Sequence, residues 1–296
     1  MRIVMPSEIT TDVLQSTTVA NVETDWESGT YNLGDRAVYE DEVYEVVADP
    51  STSDQPDQGA VADPPTWVRL GWSNQWRMFR DGADSKTTAE GEIDVTLQWP
   101  ELISTMAVLG LRGQEITVTM TDSVEGVVFD ETRSVVDIGV SDWWEFFFLP
   151  YDNIDAAVFE LPPYPGATIR VLLETENISD PVTVGRIVAG AGRDLGATLY
   201  GTDIQLQDYS IKERDGFGNL ILRPRRTLKY VNYNVHVSTE RTSFVVSQLS
   251  RLGAVPTLYI GDSQKPSTVV YGVFSDVSQG ISTPSLSDLT LQVEEF

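Results

Sequence analysis

The chain has 296 residues, 41% hydrophobic and 9% aromatic, enough apolar material for two or three folded domains and too much for a disordered chain. It contains no cysteine and one histidine, which removes disulfides, thiol nucleophiles, cysteine-ligated metals and multi-histidine metal sites. A formal net charge of −25, from 45 acidic and 20 basic side chains, argues against a nucleic-acid-binding surface, because phosphates would be repelled.

No run of 18 apolar residues is present, so no membrane-spanning helix is expected, and the first 15 residues are too polar for a secretory leader. Only four of the basic residues are lysines. Acid-rich, lysine-poor surfaces suit high salt, which screens self-repulsion, so a halophilic host is an expectation. The charge is uneven: residues 21–72 carry 12 acidic and 2 basic side chains, residues 210–230 carry 2 acidic and 6 basic.

In chain order, residues 1–20 have no aromatic ring and read as an N-terminal arm or edge strand that packs elsewhere on the chain or on a neighbouring subunit. Residues 21–80 read as a small aromatic-rich β module, with four of the seven tryptophans lying between Trp26 and Trp76. Arg36–Tyr39 and Val43–Val46 are short β-prone runs around Glu40-Asp41-Glu42, the pattern of a tight hairpin. Some fifty residues bury little aliphatic core, so rings such as Trp26, Tyr39 and Trp67 either supply it or stay on the surface as a platform for a sugar.

The order Trp26, Tyr31, Gly34-Asp35, Val38, Tyr44-Glu45, then Pro65, Trp67 and Leu70-Gly71 resembles the small chitin-binding type of carbohydrate-binding module. In that family the positions after Tyr-Glu usually carry exposed tryptophans that stack on the glycan, whereas here they are Val46 and Val47. The resemblance implies the fold more than the ligand. If a host surface glycan binds, Tyr31, Trp72 and Trp76 are the candidate rings. The acidic loop Asp49–Gly59 has oxygens that could gather around Ca²⁺, without the spacing of an EF-hand, and no metal or cofactor is expected.

After a turn-rich joint at Asp81–Asp84, Ile93, Val95, Leu97 and Trp99 alternate with polar residues, the period of a half-buried strand. Leu102–Leu111, Glu115–Met120, Gly126–Phe129, Trp143–Leu149 and Ala167–Glu174 are further strands, so residues 81–180 read as a jelly-roll-like β-sandwich. The aromatic strand Trp143–Leu149 would be buried on one face in the sandwich and on the other by a domain or subunit contact, or line a binding site.

Residues 181–296 read as a β-rich anchoring and assembly domain with one helix, Thr242–Leu252, in which Val245, Leu249 and Leu252 share a face, Thr242 or Ser243 caps the start and Gly253 ends it. Val231, Tyr233, Val235 and Val237 alternate with Asn232, Asn234 and His236, placing His236 toward solvent or an interface. The fold class is therefore all-β throughout.

Gly185-Arg-Ile-Val-Ala-Gly190, Leu195-Gly196, Tyr200-Gly201, Asp208-Tyr-Ser210, Lys212-Glu213, Asp215, Phe217-Gly-Asn219 and Tyr271-Gly-Val-Phe274 together resemble a group of tailed-phage virion proteins. Members often carry an N-terminal chitin-binding-like module. The resemblance implies a tail-associated structural protein of the virion, partnered by copies of itself and other tail proteins, and no enzymatic activity. The basic residues Lys212, Arg214, Arg223, Arg225, Arg226 and Lys229 either pair with local acids or form an assembly interface for an acidic neighbour.

Two other classes remain open. A free glycan-binding or glycan-hydrolysing protein would need only two suitably spaced carboxylates. A purely architectural adaptor would carry a module that binds nothing. A Ser-His-Asp arrangement would have to use His236, and no phosphate-cradling glycine loop with a lysine is present.

Overall fold

The computed structural model describes residues 1–81, 86–137, 142–148, 152–214 and 216–296. They form a mostly β structure of antiparallel sheets. The N-terminal segment contributes β1 (Arg2–Val4) and β2 (Leu14–Thr17), and the module that follows contributes β3 (Tyr31–Asn32), β4 (Arg36–Tyr39), β5 (Glu42–Val46), β6 (Ser51–Thr52), α1 (Pro56–Ala60) and β7 (Trp67–Trp72). The next segment contributes β8 (Thr87–Glu90), β9 (Glu92–Gln98), β10 (Thr105–Leu109), β11 (Glu115–Asp122), β12 (Gly126–Ser134), β13 (Val136–Asp137), α2 (Trp143–Phe148), β14 (Asp152–Asn153), β15 (Ala156–Glu160), β16 (Thr168–Glu174), β17 (Pro181–Val184) and β18 (Arg186–Gly190). The last contributes β19 (Gly192–Asp194), β20 (Ala197–Thr198), β21 (Asp203–Asp208), β22 (Ile211–Arg214), β23 (Leu220–Arg223), β24 (Thr227–Ser238), α3 (Thr242–Leu252), β25 (Thr257–Ile260), β26 (Val269–Ile281) and β27 (Leu286–Glu295).

A five-stranded sheet, β12-β11-β16-β9-β2, faces a three-stranded one, β15-β10-β18. Their sequences differ as their burial does. In β9, β11 and β16 apolar residues alternate with polar ones, and Ile93, Val95, Leu97, Ile116, Val118, Met120, Ile169, Val171 and Leu173 enter one core with Met106, Val108, Phe159 and Ile187 of the smaller sheet. The smaller sheet reads as continuous apolar runs because its second face is buried too: Ala107, Ala156, Val158 and Val188 pack on Val4, Leu258, Ile260 and Val269 of the C-terminal sheet.

The C-terminal sheet runs β19-β1-β25-β26-β27-β24-β20, with β21 also on β24. Val231, Tyr233, Val235 and Val237 of β24 turn to the core under α3, which buries Val245, Leu249 and Leu252 there. The helix spans the residues its periodicity predicts and stops at Gly253, whose φ of +40° is costly for other residues. Its expected side-chain cap is absent: a 3₁₀ turn over Thr239–Arg241 leads in, and the Thr242 hydroxyl bonds Ser287 instead.

Residues 1–20 tie the two larger cores together. β1 lies inside the C-terminal sheet between β19 and β25, whereas β2 edges the sandwich and Ile9, Val13 and Val19 enter its core.

The expected strand Trp143–Leu149 is corrected: Trp143–Phe148 is helical, and residue 149 lies outside the described residues. Asp142 accepts the Trp144 amide at 2.8 Å, an N-cap contact, and rings four apart meet, Trp143 stacked on Phe147 at 6.3 Å and Trp144 tilted against Phe148 at 5.7 Å. These four rings are exposed, rather than buried on one side as the strand reading required. Residues 82–84 of the expected joint also lie outside the described residues.

Candidate functional site

The module is built on the hairpin read from its sequence. Strands β4 and β5 pair Tyr39 with Glu42, and Glu40 and Asp41 between them have φ of 47° and 71°, the two left-handed residues of a type I′ turn. Strand β7 adds to β5, bringing Trp67 over Ala37, Tyr44 and Val46. Trp67 is fully buried, and its indole N–H donates to the Asp54 carbonyl at 2.9 Å. Trp26 meets Tyr39 edge-on at 5.7 Å.

The three rings expected to stack on a glycan fall in different environments. Tyr31 is half-buried, edge-on to Trp67 at 5.3 Å, with its hydroxyl bridging the amide and carbonyl of Glu27. Trp76 is 3% exposed and belongs to the sandwich core beside Phe79, so the expectation that it offers a face to a sugar is corrected. The turn after β7 sends it inward: the Trp76 amide bonds the Ser73 carbonyl, and Asn74 is pinned to Ala20 and Thr88. Trp72 is half-exposed, but guanidinium groups of Arg69 and Arg80 lie over its ring at 5.1 and 5.3 Å. Val46 is buried and Val47 exposed.

The six basic residues of the predicted interface separate into two groups. Lys212, Arg214 and Arg223 lie on the hairpin β22–β23, which pairs with no third strand among the described residues, and Arg225 follows it. The Asp-Tyr-Ser motif builds the root of this arm. Asp208 accepts the Ser210 amide at 2.9 Å and the Lys212 ammonium at 2.6 Å, and these contacts, Lys212 foremost, hold its carboxyl well below the usual carboxylate range. Ser210 accepts the Arg225 amide at 3.0 Å.

The Tyr209 and Tyr230 hydroxyls meet at 2.9 Å, and Tyr230 donates to Glu294 at 2.7 Å, raising the Tyr230 phenol, first through Tyr209 and then through Glu294. At the tip, Arg214 donates to the Gly218 carbonyl at 2.9 Å, where φ is +86°. Residue 215 of the motif lies outside the described residues. Leu220, Ile221 and Leu222 are exposed along β23, and Leu206 is 71% exposed on β21. Arg223 and Arg225 form no ion pair among the described residues.

Arg226 and Lys229 belong elsewhere. They enter a cleft of about 560 Å³ where the small sandwich sheet meets the C-terminal sheet. Lys86 and Arg186 join them from far along the chain, and sequence reasoning missed both. The one available signal was rarity, since two of the four lysines in the chain line this cleft. Arg186 pairs with Asp81, donates to the Arg80 carbonyl at 2.8 Å and covers the Tyr271 ring at 4.5 Å.

His236 stands on the polar face of β24 opposite Asp288, with Nδ1 to Oδ1 at 2.6 Å. Among the described residues no group of three or more His, Asp or Glu side chains is placed to hold a metal ion. In the acidic loop, Asp54 accepts the Thr66 hydroxyl at 2.9 Å. Among the described residues no helix is long and apolar enough to cross a membrane. No protein-family model matches this chain, and no curated protein shows significant similarity to it.

Proposed function

We propose that this protein is a structural component of the tail of a tailed virus particle, docked to copies of itself and to other tail proteins through the arm β22–β23. The observation that carries this reading is the arm: firmly rooted by Asp208, Tyr209 and Ser210, it holds Leu220 and Leu222 in solvent beside Arg223 and Arg225. A rooted strand pair with apolar and cationic side chains is suited to an acidic neighbour, which supplies burial for the leucines and partners for the guanidiniums. Part of the motif that resembles tailed-phage virion proteins, Asp208, Tyr209, Ser210 and Lys212, builds this root.

The module is the acidic end, and display on the particle surface fits its charge. The environments of Tyr31 and Trp76 favour an architectural role for it, leaving Trp72 as the ring through which a host glycan would be met, weakly per copy and usefully over many copies.

The test is immunogold electron microscopy of virus particles from the source culture with antibody to residues 21–72, paired with sedimentation of the purified chain. Gold on the tail, and self-association lost in the Leu220→Asp, Leu222→Asp variant, is the expected result. Unlabelled particles with the protein free in the medium would overturn the virion assignment. Sedimentation unchanged by the variant would overturn the role of the arm.

A further inference from the structure

The cleft between the small sandwich sheet and the C-terminal sheet has no part in the arm contact proposed above, yet it gathers four of the 20 basic residues of an acidic chain. From it we infer a binding site for a small anionic organic molecule, one with a carboxylate or phosphate head on a body about the size of a monosaccharide.

Three observations converge. Four cations, Lys86, Arg186, Arg226 and Lys229, arrive from three separate places in the chain, in a molecule whose net charge is −25. Their partners leave Lys229 with long contacts only and Lys86 without an ion pair among the described residues. Arg186 is held by Asp81, and Arg226 donates to the Phe296 carbonyl at 2.6 Å. Lys229 Nζ lies 3.5 Å from the Val269 carbonyl and 3.9 Å from Asp155, both beyond a normal N–H···O distance, although its side chain is only 13% exposed. Glu295 is turned to the Lys229 main-chain amide at 2.9 Å, not to the ammonium.

A nearly buried ammonium without a close acceptor is costly, and an oxyanion entering the cleft would supply the missing oxygens to Lys229 and Lys86 together. The cleft volume of about 560 Å³ exceeds what a bare phosphate fills and lies within the range of small-molecule sites. Leu109, Leu206 and Phe296 border the remaining space and suit the body of the ligand. The acids Asp155 and Glu295 at the same cleft oppose multivalent anions, which favours a ligand of one or two charges.

Isothermal titration of the full chain with glucuronate, glucose 6-phosphate and inorganic phosphate, at matched ionic strength and with glucose as the neutral control, tests the site. Saturable binding of at least one anionic sugar is expected, with no heat from glucose and at least a tenfold loss in Lys229→Met, which keeps the apolar stem. Lys86→Ala, at an exposed position that does not endanger folding, should weaken binding as well. Binding of inorganic phosphate as tightly as the sugars would overturn the organic body of the ligand. No saturable heat from any anion, or equal affinity in both variants and wild type, would overturn the site. So would a variant that changes self-association without changing anion binding, which would make an acidic side chain of a second copy the occupant.

Discussion

Replacing Trp67 with alanine should unfold the small module while leaving the rest of the chain folded. Trp67 is wholly buried, meets Tyr31 at 5.3 Å and donates its indole N–H to Asp54 at 2.9 Å. Truncating a buried tryptophan costs about 3–5 kcal/mol. A unit of this size rarely holds more than roughly 3–5 kcal/mol of its own stability, so the loss consumes all of it. Ala37, Tyr44 and Val46 are the other buried members of its cluster and cannot close the gap.

The assay is amide hydrogen exchange followed by mass spectrometry. Peptides covering Arg36–Val46 and Trp67–Trp72 should lose roughly two to three and a half orders of magnitude of protection, at about 1.4 kcal/mol per tenfold. Peptides covering Ile93–Leu97 should stay protected. Trp99→Ala is the control: it removes an indole 2% exposed, bonded to the Glu8 carbonyl at 3.2 Å, from the larger sandwich core. It should lower sandwich protection without a selective loss in the module. Intact module protection in Trp67→Ala, or loss of the module and sandwich together, would refute the view that the module is a separate cooperative unit.

Glu40→Asn with Asp41→Gly should raise module stability by about 1 kcal/mol, because both positions are left-handed and the present residues are strained there; a lower urea midpoint would count against it. The melting temperature should climb between 0.1 and 1 M NaCl, as the screening length shrinks from about 10 Å to about 3 Å around a net charge of −25. A flat profile would remove the halophilic expectation. Burial pushes the phenols of Tyr259 and Tyr271 up to about 12 from their usual value near 10. The folded state then holds these protons when the unfolded chain has lost them, so their contribution is full below pH 10 and falls as pH rises through about 12. Denaturant midpoints read across that window, with absorbance titration of the phenolates, check the sign.

What the sequence showed depended on whether the deciding contacts were local. The I′ hairpin at Glu40-Asp41 and the helix Thr242–Leu252 are set by neighbouring residues and by one apolar face, and both were legible. The run Trp143–Phe148 was misread because aromatic residues favour strands only where a partner strand pairs with them; here Asp142 caps a helical turn instead. Trp76 looked like a surface ring because nothing in its spacing reveals that Asn74 bonds Ala20 and Thr88, which carries the ring into another core. The basic run from Lys212 to Lys229 looked like one patch because neighbours in sequence are easily taken for neighbours in space. Lys86 and Arg186 lie 140 and 40 residues before Arg226, and only the docking of two sheets unites them.

The place of β1 between β19 and β25 also sets a timetable for synthesis. Once Arg2–Val4 has been made, about 250 further residues must be added before Thr257–Ile260 exists to flank it, roughly 12–50 s at usual translation rates. Ile3 and Val4, both buried in the finished protein, have no partner strand until β19 is made and only that one edge until β25 follows. The C-terminal sheet is therefore among the last parts of the chain to close, and a nascent polypeptide stalled before residue 257 would leave this apolar strand open to chaperones or to a like strand on a neighbouring ribosome.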